Sequence, residues 1–136
     1  MLKRIKNKKG DGYVEVCISA LVLITLAVIL LNIFELIMLR ISLGQTADDL
    51  ITTACYSGGF TDEFWECDNR HCDEYLYYDI DYGADEFFDA ADETVQLGDS
   101  IWVEVSAGMD VKGAGAFKIP ITVTVKRFGI SERYSK

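Results

Sequence analysis

The sequence predicts an α+β protein in which one long helix spans a membrane with its first part and packs its outer part on a small antiparallel β-sheet. Three observations predict it. Residues 16–34 carry no ionised side chain and consist largely of Val, Ile, Leu and Ala. Apolar residues then recur every three or four positions as far as Ala54, the period of an amphipathic helix. Further on, three short stretches alternate apolar and polar residues, the period of half-buried strands.

The charge of the 136-residue chain, −9 net, is divided unevenly. Residues 1–9 hold Lys3, Arg4, Lys6, Lys8 and Lys9 and no acid, whereas residues 41–136 hold 19 acids against 7 Lys or Arg, a net of −12. No exposed basic stripe is evident, so no nucleic-acid partner is expected. Ends of opposite sign suit a chain oriented across a membrane.

The uncharged run is close to the ~20 residues that cross a bilayer core, and only Ser19, Thr25 and Asn32 interrupt it with polar groups. Residues 16–39 therefore read as a membrane-spanning helix with no polar face. The basic cluster before it sets the N-terminus in the cytoplasm and the acidic remainder outside the cell. The run exceeds the 7–15 apolar residues of a secretory signal peptide. A cut after Gln45-Thr46-Ala47 meets a poor residue two places upstream, and Thr52-Thr53-Ala54 before Cys55 lacks the aliphatic residue of a lipoprotein site. The segment is expected to stay as an anchor.

Another processing site fits the first residues. Cutting between Gly10 and Asp11 removes residues 1–10 as a basic leader and leaves 11–15 as a new start, with Glu15 as its fifth residue. In this respect the sequence resembles type IV pilin-like precursors: a short basic leader ending in Gly, Glu at the fifth mature position, then one apolar helix. Downstream, Ile33-Phe34-Glu35-Leu36, Leu39-Arg40, Leu43 and Ala47 resemble the TadE-type minor pilins of tight-adherence pilus systems. The ending 128–134, Phe-Gly-Ile-Ser-Glu-Arg-Tyr, is similar to an uncharacterised clostridial family of single-pass pilin-like proteins.

The resemblance implies cleavage by a prepilin peptidase, helix-plus-sheet architecture, and pairing of Glu15 with the freed N-terminal amine of a neighbouring subunit during assembly. A carboxylate at the centre of a membrane helix costs about 2.5–3.5 kcal/mol by insertion scales, and less near the interface. A cationic partner would offset that and fix the axial register. The plainer alternative places Glu15 among headgroups, favoured by the helix N-terminus. Asp11 departs from the apolar or small residue usual after the leader glycine, and Gly12 offers a second cut that would make Glu15 the third residue.

Past Arg40, Leu43, Ala47, Leu50, Ile51 and Ala54 form one face while Gln45, Asp48, Asp49 and Thr52 form the other, so residues 40–56 extend the helix. Gly44 weakens the join without breaking it. One helix of about 40 residues, about 60 Å long, is expected, ended by Tyr56-Ser57-Gly58-Gly59. Glu35 and Arg40 stand near the outer membrane face; they either meet headgroups and water or form salt bridges to other subunits.

Residues 57–136 read as an exported acidic domain. Residues 60–99 hold fourteen acids against Arg70 alone, with aromatics dense enough to argue against disorder. Leu76, Tyr78, Ile80 and Tyr82 suggest one strand, Ile101, Val103 and Val105 a second, and Ile121, Val123 and Val125 a third, with 108–115 a glycine-rich loop between the last two. Pro120 fits a strand start or an edge. Asp79-x-Asp81-x-Gly83-x-Asp85 loosely resembles a calcium loop, yet Ala84 and Ala90 stand where an EF-hand needs Gly and Glu. A solvated acidic face is the default reading.

Cys17 lies in the apolar run as a small apolar residue. Cys55, Cys67 and Cys72 are exported, where one intramolecular disulfide could form and leave one thiol over. Either Cys67–Cys72 closes a short loop, or Cys55 ties the helix end to the acidic segment. His71 with Cys55 and Cys67 matches no standard zinc spacing, and no cofactor or metal is expected. No phosphate loop, nucleophile elbow or HExxH pattern occurs, so the chain reads as a non-enzyme. The expectation is a membrane-anchored pseudopilin that assembles with other pilin-like subunits. The alternative is an unprocessed single-pass surface protein whose acidic domain binds a ligand or calcium.

Overall fold

The computed structural model describes residues 8–72, 77–113 and 117–134; Met1 to Asn7 of the basic leader, and Leu76 of the first expected strand, lie outside them. Helix α1 (Lys8–Ser57) is a single element of 50 residues, about 75 Å long at 1.5 Å per residue. It exceeds the expected length because the backbone is already helical before the apolar run begins. Gly44 sits inside it without a break, beneath the guanidinium of Arg127.

The end of α1 is closed by the far end of the chain. Gly58 and Gly59 both donate their N–H to Ala54 O at 3.0 Å, and Gly58 has φ +78°, the left-handed conformation that glycine adopts freely after a helix. The next free carbonyls are taken from outside: Glu132 N–H donates to Cys55 O at 3.0 Å, and Arg133 Nη1 donates to Ser57 O at 3.2 Å. The cation also complements the negative end of the helix dipole.

Helix α2 (Asp62–Cys72) occupies the acidic stretch, where the sequence suggested no helix. Asp62 and Glu63 fall in its first turn and Arg70 in its last, each the sign its helix end favours. Phe64 and Cys67, three apart, are its buried positions. Phe60, Phe64, Trp65 and Tyr82 meet ring to ring at centroid distances of 4.3–6.1 Å, which fastens α2 to the sheet.

Strands β1 (Asp79–Ala84), β2 (Ser100–Gly113) and β3 (Phe117–Ile130) form an antiparallel sheet in the order β1-β2-β3. Its apolar face packs on α1, as the alternation predicts: Ile101, Val103, Val105 and Val125 are buried together with Leu43, Ala47, Leu50, Ile51 and Ala54. Gly129 marks the closest approach, since a Cβ there would collide with Cys55 Sγ and press on Ile51.

The expected glycine-rich loop at 108–115 is corrected. Residues 108–113 continue β2, and β3 begins at Phe117. Gly108 has open space where a Cβ would be, so the strand tolerates it without requiring it. Because β1 pairs only with Ile101 to Ser106, residues 107–113 and 117–123 form a two-stranded ribbon beyond the three-stranded sheet. The ribbon runs beside α1 toward its N-terminus and reaches Asn32, inside the span the sequence assigns to the membrane.

Candidate functional site

The apolar run of α1 is long and apolar enough to cross a membrane, and none of its most apolar window is buried. Leu21, Leu23, Ile24 and Leu31 are 64–66% exposed and point around the whole helix, so one neighbouring element could not cover them. A helix apolar on every side suits lipid or a bundle of other helices. Asp11 and Gly10 lie in its first turns, and Glu15 follows on an exposed turn before the run.

Glu15, Glu35 and Arg40 are all exposed and make no ion pair among the described residues. Glu35 and Arg40 do not meet each other, as five residues turn a helix by about 140°. Glu35 instead lines a shallow recess with Asn32, Asp110 and Lys112.

That recess belongs to a junction between helix and ribbon. Asn32 Nδ2 donates to Lys112 O at 2.9 Å, and Lys112 N–H donates to Asn32 Oδ1 at 3.3 Å, so one amide side chain satisfies both backbone groups of a strand residue. Beside this pair a cavity of about 310 Å³ lies between Ile29, Ile33 and Leu36 of α1 and Val111, Phe117 and Ile121 of the ribbon. Sequence reasoning treats Asn32 as a mere interruption. An amide alone in an apolar run is the signal that a polar partner waits elsewhere in the chain.

At the other end of the domain, Arg127 Nε binds Asp48 Oδ1 at 2.6 Å, although Arg127 occupies a helix-facing place in the alternation of β3. His71 Nε2 lies 3.2 Å from Asp49 Oδ2 in a cleft of about 390 Å³ that Thr52, Thr53, Cys67 and Arg70 also line. Tyr78 Oη donates to Asp68 Oδ1 at 2.8 Å, and Tyr82 Oη to the Glu93 carboxylate at 3.3 Å. Burial, reinforced by these acceptors, pushes both phenols above their ordinary range.

The cysteine pairings correct the sequence reading: all four cysteines are free. Cys67 and Cys72 sit on the same helix five residues apart, which places their Cα atoms roughly 8–9 Å from each other, beyond the reach of a disulfide. Cys67 is buried whereas Cys72 is exposed and contacts Asp68 Oδ1 at 3.7 Å. Cys55 packs on Gly129 of β3, a different seam from that of Cys67, and burial pushes its thiol up and away from the reactive thiolate.

His71 meets Asp49 in the cleft that Cys67 also lines, and no group of three His, Cys, Asp or Glu gathers closely enough to hold a metal among the described residues. Asp79 and Asp81 lie on β1, where alternate residues stand about 6.6 Å apart instead of curling around one point. Comparison of the chain with protein-family models, curated proteins and solved structures gave no match.

Proposed function

We propose that the chain is a non-enzymatic pilin-like subunit of the TadE type, anchored in the cell membrane by the lower half of α1, with its N-terminus cytoplasmic and its sheet domain extracellular. A prepilin peptidase removes the leader after Gly10. The mature chain then packs α1 laterally against other pilin-like subunits in a Tad-type pilus or related secretion assembly.

The observation that carries this reading is the uncovered helix: apolar on all sides, joined without a break to a folded domain, and carrying the exposed carboxylate of Glu15 just before its apolar run. Lipid satisfies such a surface before assembly, and like helices satisfy it afterwards. Glu15 gains from assembly specifically, since the amine freed at Asp11 of a neighbour neutralises it in a poorly hydrated setting. The peptidase must open the first turn of α1 to reach the bond, and Gly10 and Gly12, poor helix formers, ease that opening.

N-terminal sequencing and intact-mass measurement of the protein from its native membrane test the processing. A chain that begins at Asp11 is expected; retention of residues 1–9 would point to the unprocessed surface protein instead. Glu15→Gln is expected to be trimmed normally and to enter fibres at least about tenfold less than the natural chain. Equal incorporation would remove the register role.

A further inference from the structure

We infer that the outer face of the membrane lies at Asn32, not at residue 39, and that the lower end of the β2–β3 ribbon, at Lys112 and Lys118, rests on the phospholipid headgroups there. This rests on the reading of α1 as a membrane anchor and specifies where the bilayer ends. Asn32 marks the place because its side chain binds Lys112 on both backbone groups, which holds the ribbon against α1 at that level.

The ribbon cannot enter hydrocarbon. Beyond Ser106, β2 has lost its β1 neighbour, and β3 is an edge strand throughout. The two-residue period puts the outward N–H and C=O of Gly108 and Asp110 on the same edge as those of Lys112, and neither makes a hydrogen bond to α1. Open strand edges need water or headgroups, because lipid chains offer no hydrogen bonds. The lowest outward edge groups among the described residues, those of Lys112 and its partner Lys118, are therefore outside the hydrocarbon. The helix residues level with them, from Asn32 upward, are outside too, while the Phe117 side chain reaches past that level to line the cavity with Thr25, Val28 and Ile29.

The length that remains agrees. Gly12 to Leu31 at 1.5 Å per residue covers about 30 Å, the thickness of a bilayer core. Glu15 then lies within the inner leaflet, roughly 5 Å below its hydrocarbon boundary, instead of at the edge.

The tip has the chemistry of a headgroup contact. Phe117 and Ile119 are 68% and 55% exposed, and Lys112 and Lys118 stand beside them, with Asp110 4.0 Å from Lys118 Nζ. Lys112 and Lys118 stand at this end, whereas helix α2, which carries Asp62, Glu63, Glu66 and Asp68, packs on α1 at Asp49 to Thr53. The two lysines thus face the lipid phosphates, and the acids of α2 lie far from them.

The test uses the full chain in vesicles of phosphatidylethanolamine and phosphatidylglycerol, with Cys17→Ser and Cys72→Ser as background. Val22→Cys, Leu30→Cys, Phe34→Cys, Ile37→Cys, Met38→Cys and Ile41→Cys, all at exposed positions, are labelled singly with a membrane-impermeant maleimide. Labelling of Phe34→Cys, Ile37→Cys and Met38→Cys within about threefold of Ile41→Cys is expected, with Leu30→Cys at least tenfold lower. Protection of Phe34→Cys, Ile37→Cys and Met38→Cys to the level of Leu30→Cys would return the boundary to residue 39 and overturn this inference alone. Strong labelling at every position, Val22→Cys included, would overturn the anchor reading with it. A nitroxide on Ile119→Cys supplies the second readout, by its relative relaxation with oxygen and a water-soluble nickel chelate. Headgroup depth is expected; either bulk water or the hydrocarbon interior would overturn the tip contact.

Discussion

The two halves of α1 belong to one unbroken helix and lie in opposite environments. Above Arg40, Leu43, Ala47, Leu50, Ile51 and Ala54 are no more than 7% exposed, and the sheet lies on them. Below it, Leu21, Leu31 and Phe34 are 60–66% exposed. The period separates the halves: apolar residues at three and four positions mark a partner on one side, and apolar residues at every position mark surroundings that accept all directions. A single rod therefore serves two solvents. Its upper half is covered by this chain's own residues, while its lower half presents an apolar surface of the kind that suits lipid or other helices.

The sharpest way to break that contrast is to truncate one leucine in each half. Leu50→Ala should destabilise the domain by about 2–5 kcal/mol, because Leu50 is fully buried and leaves a cavity. Leu30→Ala, at a position 58% exposed, should leave the denaturant midpoint of the domain unchanged. Equal losses would mean that the halves fold as one unit.

The next contrast is sensitivity to alkali. No Asp, Glu, Lys, Arg, His or Tyr occurs between residues 16 and 34, whereas Tyr78 and Tyr82 help fasten α2 and the 85–99 loop to the sheet. The folded-state pKa of Tyr78 is raised above the ordinary 10 by burial and by its bond to Asp68. The native state therefore keeps a proton that the unfolded chain gives up, so this contribution is complete below pH 10 and declines above it. The slope is at most about 1.4 kcal/mol per pH unit. Urea midpoints between pH 9 and 11 should fall less steeply in Tyr78→Phe than in the natural chain, while the helicity of the lower half stays constant. An unchanged slope would remove Tyr78 from the account.

A smaller effect sharpens the contrast at the upper end of the rod. Arg133→Ala removes the donor to Ser57 O and the cation from the helix end, and should lower domain stability by about 1 kcal/mol by denaturant titration. Arg133→Lys should restore part of that through charge. Full loss in the lysine form would show that the hydrogen bond, not the charge, carries the effect.

Local periodicity made the stripe of α1 and the cores of β2 and β3 legible, since each is a repeat within a few residues. Helix α2 was hidden because its buried face has only Phe64 and Cys67, and the surrounding acids read as a solvated surface. The ribbon was misread because Gly108 and Gly113 look like loop residues, although a strand with open space beside it tolerates glycine. The closure of α1 by Glu132 and Arg133 depends on contacts more than seventy residues away along the chain, which no local pattern encodes. Of the candidate site residues, Glu15, Glu35 and Arg40 were legible as charges at the ends of an apolar run. None of the three makes an ion pair among the described residues, so the fold adds no partner to what the charges alone suggest.

Asn32 lies within the lower half, where the ribbon meets it, and its replacement by leucine gives the smallest effect and the finest distinction. In water or among headgroups, the N–H and C=O of Lys112 released by Asn32→Leu find new partners at once. The loss should then stay below about 1 kcal/mol, with an unchanged urea midpoint and several-fold faster hydrogen exchange at Lys112. In hydrocarbon the same two groups would be stranded, at a cost of several kcal/mol each, and the variant would insert or fold poorly. A mild phenotype confined to the ribbon tip fits a lipid boundary at Asn32, because only there can solvent replace what the side chain gave. A severe one would place the junction inside the bilayer and erase the division of α1 into an upper half made by this chain and a lower half made by its surroundings.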